Sequence, residues 1–130
     1  MNKSLATRLI RSFVRNKLSR VRWYREVKPY LKAIILYGSV AKGLAHPGSD
    51  IDVLIIVPLE IEVKYTKGEY FYRYKNNVIN IVLRSVERLR KLSNERRDIF
   101  QANIFWKSKI IWASDCEVKN LIKLLLTALK

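Results

Sequence analysis

The chain has 130 residues, 49% of them hydrophobic, and a single cysteine, Cys116; this excludes an internal disulfide framework and argues against a disordered, charge-dominated chain. Its 26 Lys and Arg against 11 Asp and Glu give a net charge of +15, which points to polyanionic partners: nucleic acid, nucleotides or an acidic protein. No apolar stretch approaches the ~18 residues that span a membrane, and the N-terminus lacks the continuous apolar region of a signal peptide, so the expectation is one soluble, cytoplasmic domain with no membrane partner over residues 1–130.

Residues 1–32 hold ten basic residues and one acid, Glu26, a local charge of +9. Ser4 is placed to cap a helix, and Leu5, Leu9, Phe13, Leu18 and Val21 recur at roughly helical spacing. The expectation is a basic amphipathic helix over 1–28, running to about Arg25 and ended by Pro29. Ala33 to Tyr37 reads as a short apolar strand, ended sharply at Gly38-Ser39, with a brief helix over Val40 to Leu44. His46-Pro47-Gly48 is turn chemistry, and Ile51 to Val57 is a buried strand stopped by Pro58. Ile61 to Thr66 and Glu69 to Lys75 alternate and read as a hairpin joined at Lys67-Gly68, followed by a turn at Asn76-Asn77. Val78 to Leu83 is a third buried strand, Ser85 opens a helix to about Leu92, and a second helix is expected over Glu95 to Trp106. Lys109 to Trp112 is a short strand. Ser114 to Glu117 reads as a capping box for a last helix over 114–130, whose apolar residues cover more than one stripe. Two uses of that helix stand open: all core, or one face on the core and another on a partner.

Asp50 and Asp52 lead into the most apolar segment of the chain. Alternate residues of a strand share a face, so the two carboxylates lie side by side and repel, the more so when buried. A divalent cation relieves both penalties, and Mg²⁺ takes one or two carboxylates together with substrate phosphates. The Gly38-Ser39 turn opens a short helix, where backbone N–H groups and the Ser39 hydroxyl suit phosphate oxygens. A phosphate cradle beside a metal pair is apparatus for phosphoryl or nucleotidyl transfer.

Ser39 and Asp50 are separated by the ten residues Val40 to Ser49, giving G-S-x10-D-x-D. With Gly38-Ser39-Val40-Ala41-Lys42-Gly43 and then Ser49-Asp50-Ile51-Asp52-Val53, the chain resembles the DNA polymerase β-type nucleotidyltransferase superfamily, and within it the stand-alone minimal nucleotidyltransferases. The resemblance covers roughly residues 30 to 113. It implies an α+β fold with a mixed sheet of about four to five strands flanked by helices. It also implies that Asp50 and Asp52 hold Mg²⁺, with Mn²⁺ as a substitute, and that Gly38 and Ser39 bind the β- and γ-phosphates of ATP or another nucleoside triphosphate. Lys42 adds charge near them, and Ser49 completes the nucleotide-binding set. One position departs. Asn80, in Val78 to Val82, stands where the family carries a third carboxylate, and an amide offers a neutral oxygen but cannot act as a base. Glu62 and Glu69 are the nearby acids that would have to substitute.

The implied reaction is transfer of an NMP, AMP first, to a hydroxyl. Many members of the family are antitoxins that silence a small helical HEPN toxin in this way. The toxin's own motif, a histidine shortly after an arginine, is absent: the sole histidine is His46 and the nearest preceding arginine is Arg25. The competing reading is a weak or inactive nucleotidyltransferase fold that works by binding a protein, or nucleic acid through the basic N-terminal helix. Trp23 and Tyr24 in that helix serve base stacking or the core. A second copy of the chain is a further candidate partner.

Overall fold

The computed structural model describes residues 2–43, 49–65, 69–95 and 108–127. Helix α1 (Lys3–Asn16) is followed by a 3₁₀ turn (Leu18–Arg20), α2 (Arg22–Val27) and a second 3₁₀ turn (Lys28–Tyr30). Strand β1 (Ala33–Tyr37) leads into α3 (Gly38–Lys42), then β2 (Ile51–Val57) and α4 (Leu59–Lys64). Strands β3 (Glu69–Tyr74) and β4 (Asn77–Ser85) follow, then α5 (Val86–Glu95), β5 (Lys109–Ala113) and α6 (Cys116–Thr127). The sheet order is β3-β4-β2-β1-β5, with β2 and β4 parallel and every other pair antiparallel, so the expected α+β fold with a mixed sheet is what the chain adopts.

The two central strands are apolar at nearly every position because helices cover both faces of the sheet. On one face Ile34, Leu36, Val53, Ile55, Ile79 and Ile81 pack against Ile10 and Phe13 of α1 and Tyr24 and Val27 of α2. On the other, Ala33, Ile35, Leu54 and Ile56 meet Val86 and Leu89 of α5 and Val118 and Ile122 of α6. Each fully buried Ile or Leu contributes about 1.5–3 kcal/mol by leaving water.

Several sequence expectations are corrected. The long N-terminal helix is broken at Lys17, whose φ of −123° leaves the helical region. The helix is capped by Asn2, whose Oδ1 accepts the Leu5 N–H at 2.8 Å, not by Ser4. Its buried stripe is Ala6, Ile10 and Phe13, leaving Leu5 half exposed. The segment read as the first hairpin strand is helix α4: Pro58 precedes it and Glu60 and Glu62 stand in its first turn, signals that outweigh the two-residue alternation of Leu59, Ile61 and Val63. The hairpin is instead β3–β4, turned at Lys75 and Asn76, both at positive φ (47° and 65°), one residue earlier than expected. The last helix is capped by Asp115, which accepts the Val118 N–H at 2.9 Å, while Glu117 bonds Arg90 of α5 and forms no capping box. The Lys67-Gly68 turn, the His46-Pro47-Gly48 turn and the body of the helix expected over Glu95 to Trp106 lie outside the described residues.

Strand β4 alternates in burial, so it is half buried and not the fully buried strand that its sequence suggests. Ser85 does open α5, accepting the Arg88 N–H at 3.1 Å. Trp23 stacks on Tyr70 at 4.3 Å and donates to the Tyr72 hydroxyl at 2.6 Å, and Tyr24 is buried. Both aromatics are therefore committed to the core. Among the described residues no helix is long and apolar enough to cross a membrane.

Candidate active site

The site is built where β1 ends and β2 begins. Antiparallel pairing sets Tyr37, the last residue of β1, opposite Asp52. Parallel pairing sets Asp52 beside Asn80 of β4, and β4 sets Asn80 opposite Phe71 of β3. Directly paired residues point to the same side of a sheet. Four neighbouring strands thus present Tyr37, Asp52, Asn80 and Phe71 in one row, on the face shared with Leu54 and Ile56.

Gly38 begins α3 immediately after Tyr37, at a φ of +78°. A Cβ built there would overlap Asp52 Oδ2 and lie 3.0 Å from its Cγ. Glycine is required twice over, by the left-handed backbone and by the carboxylate seated against its Cα. Ser39 is therefore held one residue from the Asp52 carboxylate.

The Asn80 amide donates to Asp52 Oδ1 at 3.3 Å. Burial pushes the Asp52 carboxyl above its usual range, the Asn80 bond pulls it partly back, and the Asp50 charge adds to the rise. Asp50 is exposed, just before β2. Asn80 Oδ1 is buried with no hydrogen-bond partner. The amide turns its NH₂ and not this oxygen to Asp52; with the amide flipped, Asn80 Oδ1 would join Asp52 and Asp50 in an all-oxygen set of the kind a hard divalent cation takes. The residues fit Mg²⁺ or Mn²⁺, with two charged ligands and one neutral one.

The structure brings Gly38, Asp52 and Asn80 into contact and places Ser39, Ser49 and Asp50 in the adjoining residues; Lys42 closes α3. It does not supply a third acid from the two candidates named. Glu62 is held by Arg88 Nε at 3.0 Å beyond the far end of β2, and the residue opposite Asn80 is Phe71, not Glu69. No group of three His, Cys, Asp or Glu that could hold a metal ion occurs among the described residues. Neither Tyr37 nor Phe71 stands out in the sequence as a site residue. The alternation of β3 marks Phe71 as facing away from Tyr70 and Tyr72, but only the strand register shows that it joins the row of Asp52.

Comparison with known proteins agrees with this geometry. The family model of the nucleotidyltransferase domain matches residues 14–113. A nucleotidyltransferase-like protein from Exiguobacterium sibiricum is similar in structure, with a TM-score of 0.55 at 14% identity over 82% of this chain. The chain spans 37% of that protein's length. A toxin–antitoxin structure with AMP-PNP (TM-score 0.44, 16% identity, 87% of this chain and 86% of that one) and a mutant toxin–antitoxin MntA–HpeT (TM-score 0.42, 14% identity, 87% and 86%) show weaker similarity, too low to support a shared role. No curated protein sequence matches the chain.

Proposed function

The chain belongs to the nucleotidyltransferase domain family, and on that premise we propose that it transfers a nucleoside monophosphate, AMP from ATP first, to a hydroxyl acceptor, the new bond to the α-phosphorus replacing the α–β phosphoanhydride bond as pyrophosphate leaves. The observation that carries this reading is the seating of the Asp52 carboxylate against the Cα of Gly38, which joins the acidic pair to the Gly-Ser turn. In this reading Gly38 and Ser39 take phosphate oxygens, with Lys42 and Ser49 beside them. Asp50, Asp52 and Asn80 Oδ1 would hold Mg²⁺, which would supply charge neutralisation of the triphosphate and a lower cost of ionising the acceptor hydroxyl. Asn80 cannot take the acceptor's proton, which must leave to an aspartate or to solvent. A positioned general base contributes about 10²–10⁴-fold, and that range bounds how much slower the enzyme is than one with a third acid.

The acceptor we propose is a partner protein, a small helical HEPN toxin that this chain silences as its antitoxin. That role rests on the motif Gly38-Ser39 to Asp52 and its resemblance to minimal nucleotidyltransferases. The second reading, a binding module without transfer, is favoured by Asn80 alone.

The test is incubation of the purified chain with Mg²⁺, then Mn²⁺, α-labelled triphosphates and a lysate supplying acceptors, beside the Asp50→Asn, Asp52→Asn double variant. Label on an acceptor with the native chain only supports the enzyme and exposes the acceptor. Absence of label throughout, together with label from Asn80→Asp, assigns the loss to the third carboxylate. Absence of label from both favours the binding module.

A further inference from the structure

On the sheet face opposite Asp52, a cavity of about 440 Å³ opens between α1, α2 and the β1–β5 edge. Its volume falls within the roughly 300–1,000 Å³ typical of small-ligand sites. Its floor is apolar: Val14, Leu31, Ile34 and Ile111, with the ring of Tyr24. Tyr24 and Ile34 are only 3% and 5% exposed, so the floor lies below the surface and takes an inserted group, not a flat contact. Trp112 is 44% exposed, a large apolar side chain left uncovered at the mouth.

The rest of the lining is cationic. Arg11, Arg15 and Lys28 line the cavity, and no acid does. None of the three forms an ion pair among the described residues; the pairs found there are Arg22–Glu26, Glu62–Arg88 and Arg90–Glu117. Arg11 and Arg15 are four residues apart on α1, where like charges repel and weaken the helix. An anion between them removes that repulsion.

We propose that this cavity binds a small amphipathic anion, an aromatic or short aliphatic body carrying a carboxylate, sulfonate or phosphate. The body inserts over Ile34 and Ile111 beside Trp112, and the charged head is held by Arg11, Arg15 and Lys28. The site is separate from the Asp50–Asp52 site and stands whether or not the chain transfers nucleotides.

The probe is anilinonaphthalene sulfonate, titrated by fluorescence and by methyl NMR of the full chain. Saturable binding is expected, with shifts at the methyls of Leu31, Ile34 and Ile111. Arg11→Glu with Arg15→Glu, both exposed, weakens binding by roughly tenfold or more, through loss of charge-assisted hydrogen bonds. Lys119→Glu with Lys123→Glu, an equal charge change on α6, leaves it within about twofold. Ile111→Trp fills the cavity without changing charge and also weakens binding; circular dichroism verifies that each variant is folded. Equal weakening by the two charge pairs, shifts at Val86, Leu89 and Ile122 on the other face, or no saturable binding overturns the proposal.

Discussion

The two ends of the parallel pair β2–β4 treat polar side chains in opposite ways. At the exit end charge meets charge and donors meet acceptors. Ser85 caps α5, Glu87 accepts the Leu59 N–H at 2.9 Å, and the buried Glu62 carboxylate is bound by Arg88, although its Oε1 has no partner. At the entry end the Asp50 charge acts on the half-buried Asp52, whose carboxylate accepts from the neutral Asn80 amide, and that amide keeps a buried oxygen unpaired. The first arrangement holds structure together. The second opposes folding, through the burial of Asp52 and the repulsion from Asp50.

Changing the entry end alters activity far more than stability. Gly38→Ala places a methyl where the Asp52 carboxylate sits and forces a side-chain-bearing residue to a φ of +78°. Transfer is expected to fall by about 100-fold or more, because a displacement of about an ångström at reacting groups has that effect. Stability falls by only about 1–2 kcal/mol, the strain of left-handed backbone. Radiolabel transfer and urea unfolding measure the two effects on one preparation.

Asn80→Asp sharpens the contrast next. A third carboxylate beside Asp52 strengthens Mg²⁺ binding by about tenfold, read by isothermal titration. It lowers the melting temperature without metal, because like charges then crowd a half-buried row. An unchanged Mg²⁺ affinity would remove Asn80 from the cation site.

The exit end is the converse case. Arg88→Ala leaves the buried Glu62 charge without its partner and costs about 1–2 kcal/mol in chemical denaturation. Transfer per folded molecule is expected to stay unchanged. A parallel loss of transfer would mean that the two ends are coupled.

Asp52→Asn, which removes transfer, has the smallest effect on stability. Folding raises the Asp52 pKa, so the ionised carboxylate opposes folding at pH values above its ordinary range. The substitution removes that penalty. The melting temperature without metal is expected to rise by a few degrees at pH 7. The gain shrinks as pH falls through the raised value and vanishes below the ordinary aspartate range, where both states are protonated. A gain independent of pH would assign the effect to packing instead.

The sequence by itself determined the parts whose signals are local. Apolar runs bounded by Gly38 and Pro58 gave β1 and β2 nearly to the residue, and spacing gave the candidates Gly38, Ser39, Asp50 and Asp52, to which the resemblance to nucleotidyltransferases added Asn80. It misread α4, because Leu59, Ile61 and Val63 alternate like a strand while the chain there follows the helix signals of Pro58 and two early acids. Only the tertiary structure decided what strand register decides. The pairing of Asp52 with Asn80, the emergence of Tyr37 and Phe71 in the same row, and the seating of a carboxylate on Gly38 depend on which strands lie side by side. The same holds for the cavity over Ile34, which joins residues from α1, α2, β1 and β5 that no local pattern links. Periodicity along the chain specifies the face of an element. Its neighbour is chosen by burial summed over the whole sheet, and that information resides in no single segment.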